Sequence, residues 1–359
     1  MNRSSEHPFA RVMDGSDRSA AAAMLRCGAA CAEPFYALAV RLRNAMFESG
    51  VLRAHRLGRA AVGVGNLATG GTGKTPIVAW LAQRLAAAGR PAVLLRGYKS
   101  TPDGISDEAE LLRGLLGPEV PVLANPDRLA GAAAALQRDP RITVFILDDA
   151  MQHRRAARDF ELVLLHASQP FGYGRLLPRG LLREPIDGLK RADAIMITHA
   201  DQVADADLAH IEQTVRRHNA SAPIFRANHV IEAFRCGAGE LHPPQFLHGK
   251  HLSAFCGIAR PYEFLASLGQ LGGQIAATEV FSDHHHYSSA DLAQIQARAA
   301  ATGAQILVTT EKDWVKIVRL PQAPPPALPI YRAQLCVRFW PDHEQRLLEL
   351  ICKSLASAT

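Results

Sequence analysis

A chain of 359 residues with 48% apolar and 21% charged side chains has the composition of a globular protein with a sizeable core, long enough for two domains, which excludes disorder as the default. Its formal charge of +6 favours anionic partners, but no helix-turn-helix, zinc-finger or aromatic stacking signature accompanies it, so nucleic acid is not expected. Of its six cysteines only Cys27 and Cys31 lie close, at neither zinc nor redox spacing, and the polar, mixed-charge start through Asp17 does not resemble a secretory signal; a reduced, cytosolic setting follows.

No stretch reaches the roughly 18 uncharged apolar residues of a spanning helix. From Pro34 the spacing predicts an amphipathic helix with Phe35, Leu38, Leu42, Ala45 and Met46 on one side, flanked by Arg41, Arg43, Arg53, Arg56 and Arg59. Two readings fit this stripe: a first helix docked on its own domain, or a helix lying on a membrane surface, its arginines meeting anionic headgroups at about 1 kcal/mol each.

From Ala60 onward short apolar runs alternate with Ala-rich helical patterns, which predicts a doubly wound, mainly parallel α/β sheet. Strands are expected at 61–64, 92–95, 121–124, 143–147, 162–166 and 194–198, with helices such as 77–88 and 129–137 between them. After about Ile231 the texture changes: Gly237, Gly239, Pro243 and Pro244 read as a linker, and a fresh alternation runs from 252–256 to 306–309. Prolines follow at Pro321 and Pro324 to Pro326, and an amphipathic helix over 342–355 closes the chain. The expected organisation is an N-terminal segment 1–59, a main domain 60–235, a second, smaller α/β domain 236–330, and a closing strand and helix, 331–359, that pack back on the core.

The strongest local signal is Ala68-Thr69-Gly70-Gly71-Thr72-Gly73-Lys74-Thr75, between a strand and a helix. It reads as a P-loop, with alanine where the motif usually opens on glycine. Gly70, Gly71 and Gly73 let backbone N–H groups wrap phosphates at a helix N-terminus, Lys74 is placed to reach the β- and γ-phosphates, and Thr75 to ligate magnesium. Pro76 fits only the first turn of a helix, which fixes where that helix starts.

Such a nucleotide site needs a carboxylate at the end of a neighbouring strand, and Asp148-Asp149 after the strand at 143–147 supplies it. Two adjacent carboxylates repel unless a cation lies near, which favours a magnesium ion beside them. Removal of a hydroxyl proton has two candidate sources: Asp107-Glu108, in the loop after Tyr98, and Asp283 with His284, His285 and His286. A solvated loop and a metal site are the competing readings of the three histidines. The stretch 171–185 mixes glycine, proline, arginine and leucine, fitting either a phosphate- and lipid-facing loop or a leucine-packed surface loop. Two other classes stay open on motifs alone. A nucleotide switch is suggested by Thr198-His199-Ala200-Asp201, and a membrane-associated ATPase by the P-loop itself, although Thr69 stands where such ATPases carry a further lysine.

Taken in order, several stretches resemble the tetraacyldisaccharide 4′-kinase family, the lipid A kinases of Gram-negative bacteria. They are Val64-Gly65-Asn66-Leu67 running into the P-loop, Arg96-Gly97-Tyr98, Asp107-Glu108, Asp148-Asp149 with Gln152-His153, Phe171-Gly172, Gly174 to Pro178 and Leu182-Arg183-Glu184-Pro185. Phe255 to Ala259 with Pro261, Asp283-His284 and Thr310-Glu311-Lys312-Asp313 complete the series. The resemblance implies a P-loop NTPase-like fold and transfer of a phosphoryl group from ATP, with Mg2+, to the 4′-hydroxyl of a tetraacylated glucosamine disaccharide 1-phosphate. It places the protein on the cytoplasmic face of the inner membrane, with an N-terminal helix touching the bilayer and no protein partner indicated. Carried over by position, it makes Asp107 and His284 the acid-base pair and Asp148 and Asp149 the magnesium-side carboxylates. Glu108, Gln152 and His153 line the same cleft, and Arg128 and Arg183 are candidates for phosphate contact. One departure is Ala150, where the family usually has glycine after the paired aspartates; a left-handed backbone there would cost about 1 kcal/mol.

Overall fold

The computed structural model describes residues 12–13, 15–97, 106–237, 239–320 and 327–358, so Tyr98, Pro321 and Pro324 to Pro326 lie outside the described residues. The chain runs α1 (Ala20–Glu48), β1 (Ala60–Asn66), α2 (Lys74–Ala86), β2 (Pro91–Leu95), α3 (Asp107–Leu116), β3 (Val122–Ala124), α4 (Arg128–Arg138), β4 (Val144–Asp148), β5 (Phe160–His166) and β6 (Ala194–Thr198). It continues through α5 (Asp205–His218), β7 (Ile224–Cys236), β8 (Leu241–His242), β9 (His251–Cys256), α6 (Pro261–Gln270), β10 (Gln274–Val280), α7 (Ser289–Ala301), β11 (Ile306–Thr310), α8 (Glu311–Ile317), β12 (Ile330–Phe339) and α9 (His343–Ala358).

The first helix is longer than its periodicity predicts: α1 begins at Ala20, and Pro34, expected to open it, lies inside. Ser19 caps the helix by accepting from the Ala22 N–H at 3.2 Å, and the alanines that follow have the highest helix propensity. That gain outweighs the one backbone donor that Pro34 lacks. Asp107 and Glu108 likewise leave the expected loop and open α3. Ser106 caps that helix, and acidic residues in its first turn favour the positive end of its dipole.

The chain forms two compact units. The first comprises Met1–Arg96, Pro118–Asn228 and Phe339–Thr359, and the second Gly97–Gly117 and His229–Arg338. Residues 97–117 fall inside the expected 60–235 span yet group with the second unit, because α3 packs on α8 and Glu110 pairs with Arg319 at 2.8 Å.

In the first unit the sheet order is β7-β6-β5-β1-β4-β2-β3, with every neighbouring pair parallel. Strands β1, β4, β5 and β6 are buried almost throughout, as strands covered on both faces must be. Ala61, Leu94, Phe145 and Leu147 pack with Ala132 and Ala135 of α4, while Val163, Leu165, Ile195 and Ile197 pack with Leu208, Ile211 and Val215 of α5. Helix α9 lies against β1 and β5.

In the second unit β10, β9, β11 and β12 form a parallel run beside β7, and β8 pairs antiparallel with β7. One core gathers Phe234, Leu252, Phe264 and Val308, and another Phe255, Tyr287, Ile295 and Leu307.

The segment after β4 passes hard against β1. A Cβ on Gly65 would meet Met151 Cβ at 2.6 Å and Met151 N at 2.7 Å, so only glycine lets the Asp149 turn sit there. Gly65→Ala is therefore expected to lower stability by about 1–3 kcal/mol, as overpacking does; urea unfolding followed by circular dichroism checks it.

Candidate active site

The P-loop leaves β1 at Asn66, a fully buried polar residue at the end of an apolar strand. Its amide donates to Ala68 O at 2.6 Å and to Thr72 Oγ1 at 2.9 Å, tying both ends of the loop to one side chain. Gly70 and Gly73 take φ values of 103° and 74°, conformations that glycine adopts without strain, and α2 begins directly after Gly73. The Thr198 hydroxyl at the end of β6 donates to Thr72 O at 3.2 Å, so this threonine braces the loop.

The stretch 171–185 runs along the P-loop. Ala68 bridges to Leu182, the Thr69 N–H donates to Leu181 O at 2.7 Å, and the Arg183 N–H donates to Leu67 O at 2.8 Å. This pairing lays Arg183 over the mouth of the loop. Its guanidinium holds Asp149 through both carboxylate oxygens at 2.8 Å each, reaches Asn66 O at 3.1 Å and contacts Asn66 Oδ1.

Lys74 approaches the same carboxylate, with Nζ 3.4 Å from Asp149 Oδ1 and 3.1 Å from Asn66 Oδ1. Burial works to raise the Asp149 pKa, but Lys74 and Arg183 outweigh it and hold the carboxyl well below the usual carboxylate range. The repulsion expected of two adjacent carboxylates is thus relieved by protein cations on Asp149, while Asp148 ends β4 in a buried position. Asp149, at φ 54°, carries the left-handed conformation of the turn. Ala150 has no positive φ and is buried, so alanine meets no left-handed requirement.

Thr75 is the second residue of α2. Gln152 donates to Asn66 O at 3.0 Å, joining the same knot. Arg128, expected as a phosphate contact, is buried, and its guanidinium donates to Asn125 O at 2.7 Å and to Asp148 O at 3.1 Å. It braces the end of β4 from beneath. His153 donates from Nε2 to Pro126 O at 3.2 Å. Together with Gln152, Arg43, Arg154 and Arg155 it lines a cleft of about 460 Å³, a basic concavity suited to an anionic group.

In the second unit the histidine run splits by environment. His285 stacks on Phe281 with ring centroids 4.5 Å apart and meets Asp291 at 3.3 Å, a packing role, while His286 is exposed. His284, at φ 62°, has Nε2 3.3 Å from Lys312 Nζ and 3.9 Å from Asp283 Oδ2. Lys312 also donates to Asp283 Oδ1 at 2.9 Å. Burial opposes ionisation of Asp283, yet Lys312 and then His284 prevail and hold its pKa below the ordinary value. The backbone of His284 is pinned through Gly257, whose N–H donates to the fully buried Asp313 at 3.0 Å. Asp107 is buried in the same unit, and among the described residues neither of its carboxylate oxygens has a hydrogen-bond partner. Glu108 follows it in the first turn of α3.

Sequence reasoning assigned no role to Asn66, Lys312 or Asp313. The signal for Asn66 was a lone amide closing an apolar strand just before a glycine loop; Lys312 and Asp313 stood out only within the stretch Thr310-Glu311-Lys312-Asp313, and the fold sets Lys312 beside His284 and Asp313 against Gly257.

The sequence signature of the tetraacyldisaccharide-1-P 4'-kinases (LpxK) matches residues 30–355. The chain belongs to that family. Among its relatives, a tetraacyldisaccharide 4'-kinase of Geobacter metallireducens is 40% identical over 301 residues, covering 79% of this chain and 86% of the other. One from Anaeromyxobacter dehalogenans is 39% identical over 304 residues, covering 80% of each chain. The crystal structure of the "apo" form of LpxK from Aquifex aeolicus in complex with ATP superposes with a TM-score of 0.73 at 28% identity, covering 92% of this chain and 99% of that one. In this family member the knot of Asn66, Lys74, Asp149 and Arg183 sits at the glycine-rich loop after β1.

Burial and then the Arg128 charge lower the His153 pKa, so the folded protein keeps this imidazole neutral where the unfolded chain has begun to take up a proton. The unfolded state then binds more protons, and stability falls as pH drops through about 6.5 toward the depressed folded value. His153→Gln should flatten this part of the melting temperature against pH curve between pH 7 and 5, read by thermal denaturation.

Proposed function

We propose that the protein transfers the γ-phosphoryl group of ATP to the 4′-hydroxyl of a tetraacyl glucosamine disaccharide 1-phosphate, the lipid A precursor, while resting on the cytoplasmic face of the inner membrane. The observation that carries this is the cation and carboxylate knot at the P-loop, in a chain of this family with a fold like that of an ATP-bound member.

Catalysis of phosphoryl transfer is mainly positioning and charge neutralisation. Lys74, the P-loop amides and Arg183 concentrate positive charge where the β- and γ-phosphates lie, and Asp149 holds both side chains aimed until nucleotide arrives. Thr75, Asp148 and Asp149 would hold magnesium; all three offer hard oxygen donors, the set that ion takes, and it would supply further neutralisation of phosphate charge. Asp107 and His284 take the proton from the attacking hydroxyl, with Lys312 and Asp283 orienting the imidazole. The cleft lined by Arg43, Arg154 and Arg155 suits the phosphorylated sugar of the acceptor.

Among the described residues no helix is long and apolar enough to cross a membrane. Helix α1 instead exposes Met24, Leu25, Phe35, Leu38 and Leu42, each more than half accessible, beside the exposed Arg41, Arg53 and Arg56. An exposed apolar stripe rimmed by arginine supports surface seating on anionic lipid.

The test is incubation with γ-labelled ATP and the disaccharide precursor in mixed micelles, with label expected on the lipid. ATP hydrolysis without labelled lipid would remove the kinase assignment. Lys74→Ala and Asp107→Ala should each lower transfer by about 10²–10⁴-fold with circular dichroism unchanged, and a fully active Asp107→Ala would take that residue out of the mechanism.

A further inference from the structure

Glu184 has no exposed surface and no part in the chemistry described so far. Its carboxylate meets three residues on two other elements: Arg191, which closes the turn 186–191, at 2.7 Å, and Arg43 at 3.2 Å and Asn44 at 3.3 Å from α1. The residue before it is Arg183, which clamps Asp149 and Asn66 at the P-loop. Helix α1 grips the stretch 171–185, a strap along the P-loop, at two more points. The Tyr36 hydroxyl donates to Arg183 O at 3.0 Å, and Glu33 accepts from the Leu176 N–H at 3.1 Å and pairs with Arg179 at 3.4 Å.

At about 100° per residue, Glu33, Tyr36, Val40, Arg43 and Asn44 fall on one side of α1. Phe35, Leu38 and Leu42 fall on the other, and they are 78%, 66% and 59% exposed. The side that meets lipid and the side that grips the strap are therefore opposite faces of one rigid helix. Adjacent Cα atoms are separated by about 3.8 Å, and the Arg183 backbone is itself tied to Tyr36 and to Leu67, so the position of Glu184 bears directly on that of Arg183. A misplacement of about 1 Å at reacting groups costs on the order of 10²-fold in rate. Apolar side chains would fill this volume with comparable stability, whereas the ionic contacts are directional and fix the register of the strap against α1.

We propose that Glu184 is a positioning residue that couples the lipid-facing helix to the nucleotide loop, so that seating α1 on a membrane aligns Arg183 and tightens nucleotide binding. This rests on the kinase and membrane-surface reading given above. It assigns α1 more than anchorage: the lipid surface becomes part of what sets the geometry of the ATP site.

The experiment compares the full chain with Glu184→Gln, with Tyr36→Phe/Asn44→Ala, which leaves the Glu184 and Arg191 pair intact should the first variant fold poorly, and with Phe35→Ser/Leu38→Ser. Affinity for a non-hydrolysable ATP analogue with magnesium is measured by calorimetry with and without phosphatidylglycerol vesicles, beside vesicle flotation and kcat and KM on the lipid acceptor. The parent chain should bind the analogue several-fold more tightly with vesicles. Glu184→Gln and Tyr36→Phe/Asn44→Ala should float normally yet lose that gain, with kcat lowered about 10-fold or more and KM for the lipid within about twofold, a split expected of misplaced reacting groups. Phe35→Ser/Leu38→Ser should lose flotation and the gain while keeping the vesicle-free affinity. An unchanged analogue affinity on vesicles that the parent chain demonstrably binds, or a full gain retained by Tyr36→Phe/Asn44→Ala, would overturn the coupling. Failure of the kinase reading shows separately, as a parent chain that gains affinity on vesicles but labels no lipid, an outcome that supports the coupling.

Discussion

A single carboxylate organises the glycine-loop end of the first unit. Asp149 is held by Lys74 and doubly by Arg183, and Asn66 receives the same two cations on its amide oxygen while its amide nitrogen ties down the loop. Remove that carboxylate and two like charges share a half-buried pocket with only a neutral amide between them, a repulsive arrangement in a low-dielectric site. The strap that carries Arg183, the turn after β4 that carries Asp149 and the glycine loop after β1 each take their position from this contact. The left-handed backbone of Asp149 and the glycine at Gly65 are the local conditions that let the three meet.

The parallel sheet delivers these parts because β1, β4 and β6 end at the same edge, and loops at the carboxyl ends of parallel strands are where such folds bind ligands. Near that edge two polar side chains are tied to the backbone. Arg128 spends its guanidinium on backbone carbonyls, and Thr198 spends its hydroxyl on the P-loop. Charge here is layered: the buried Arg128 and Thr198 are tied to backbone carbonyls, and the half-exposed Lys74 and Arg183 meet at Asp149.

The second unit repeats that division. His285 is committed to Phe281 and Asp291, so His284 alone of the three histidines stands between a carboxylate and an ammonium. Asp313, fully buried, fixes the loop behind it through Gly257.

Much of this was legible in the sequence, because it depends on local rules. The parallel α/β class follows from apolar runs of strand length alternating with helical periodicity, and the P-loop from glycines, lysine and threonine between a strand and a helix, since each is a property of neighbouring residues. The extent of α1 and the placement of Asp107 on a helix were misjudged where a cap upstream of the apolar pattern decided the boundary. What only the tertiary structure decided are the pairings between residues far apart in the chain: Arg183 with Asp149, Glu184 with Arg43, Lys312 with His284, and the burial of Arg128 against the Asp148 carbonyl. Residue types announce which charges exist, but partners and burial depend on which strands lie side by side, and no local periodicity encodes that order.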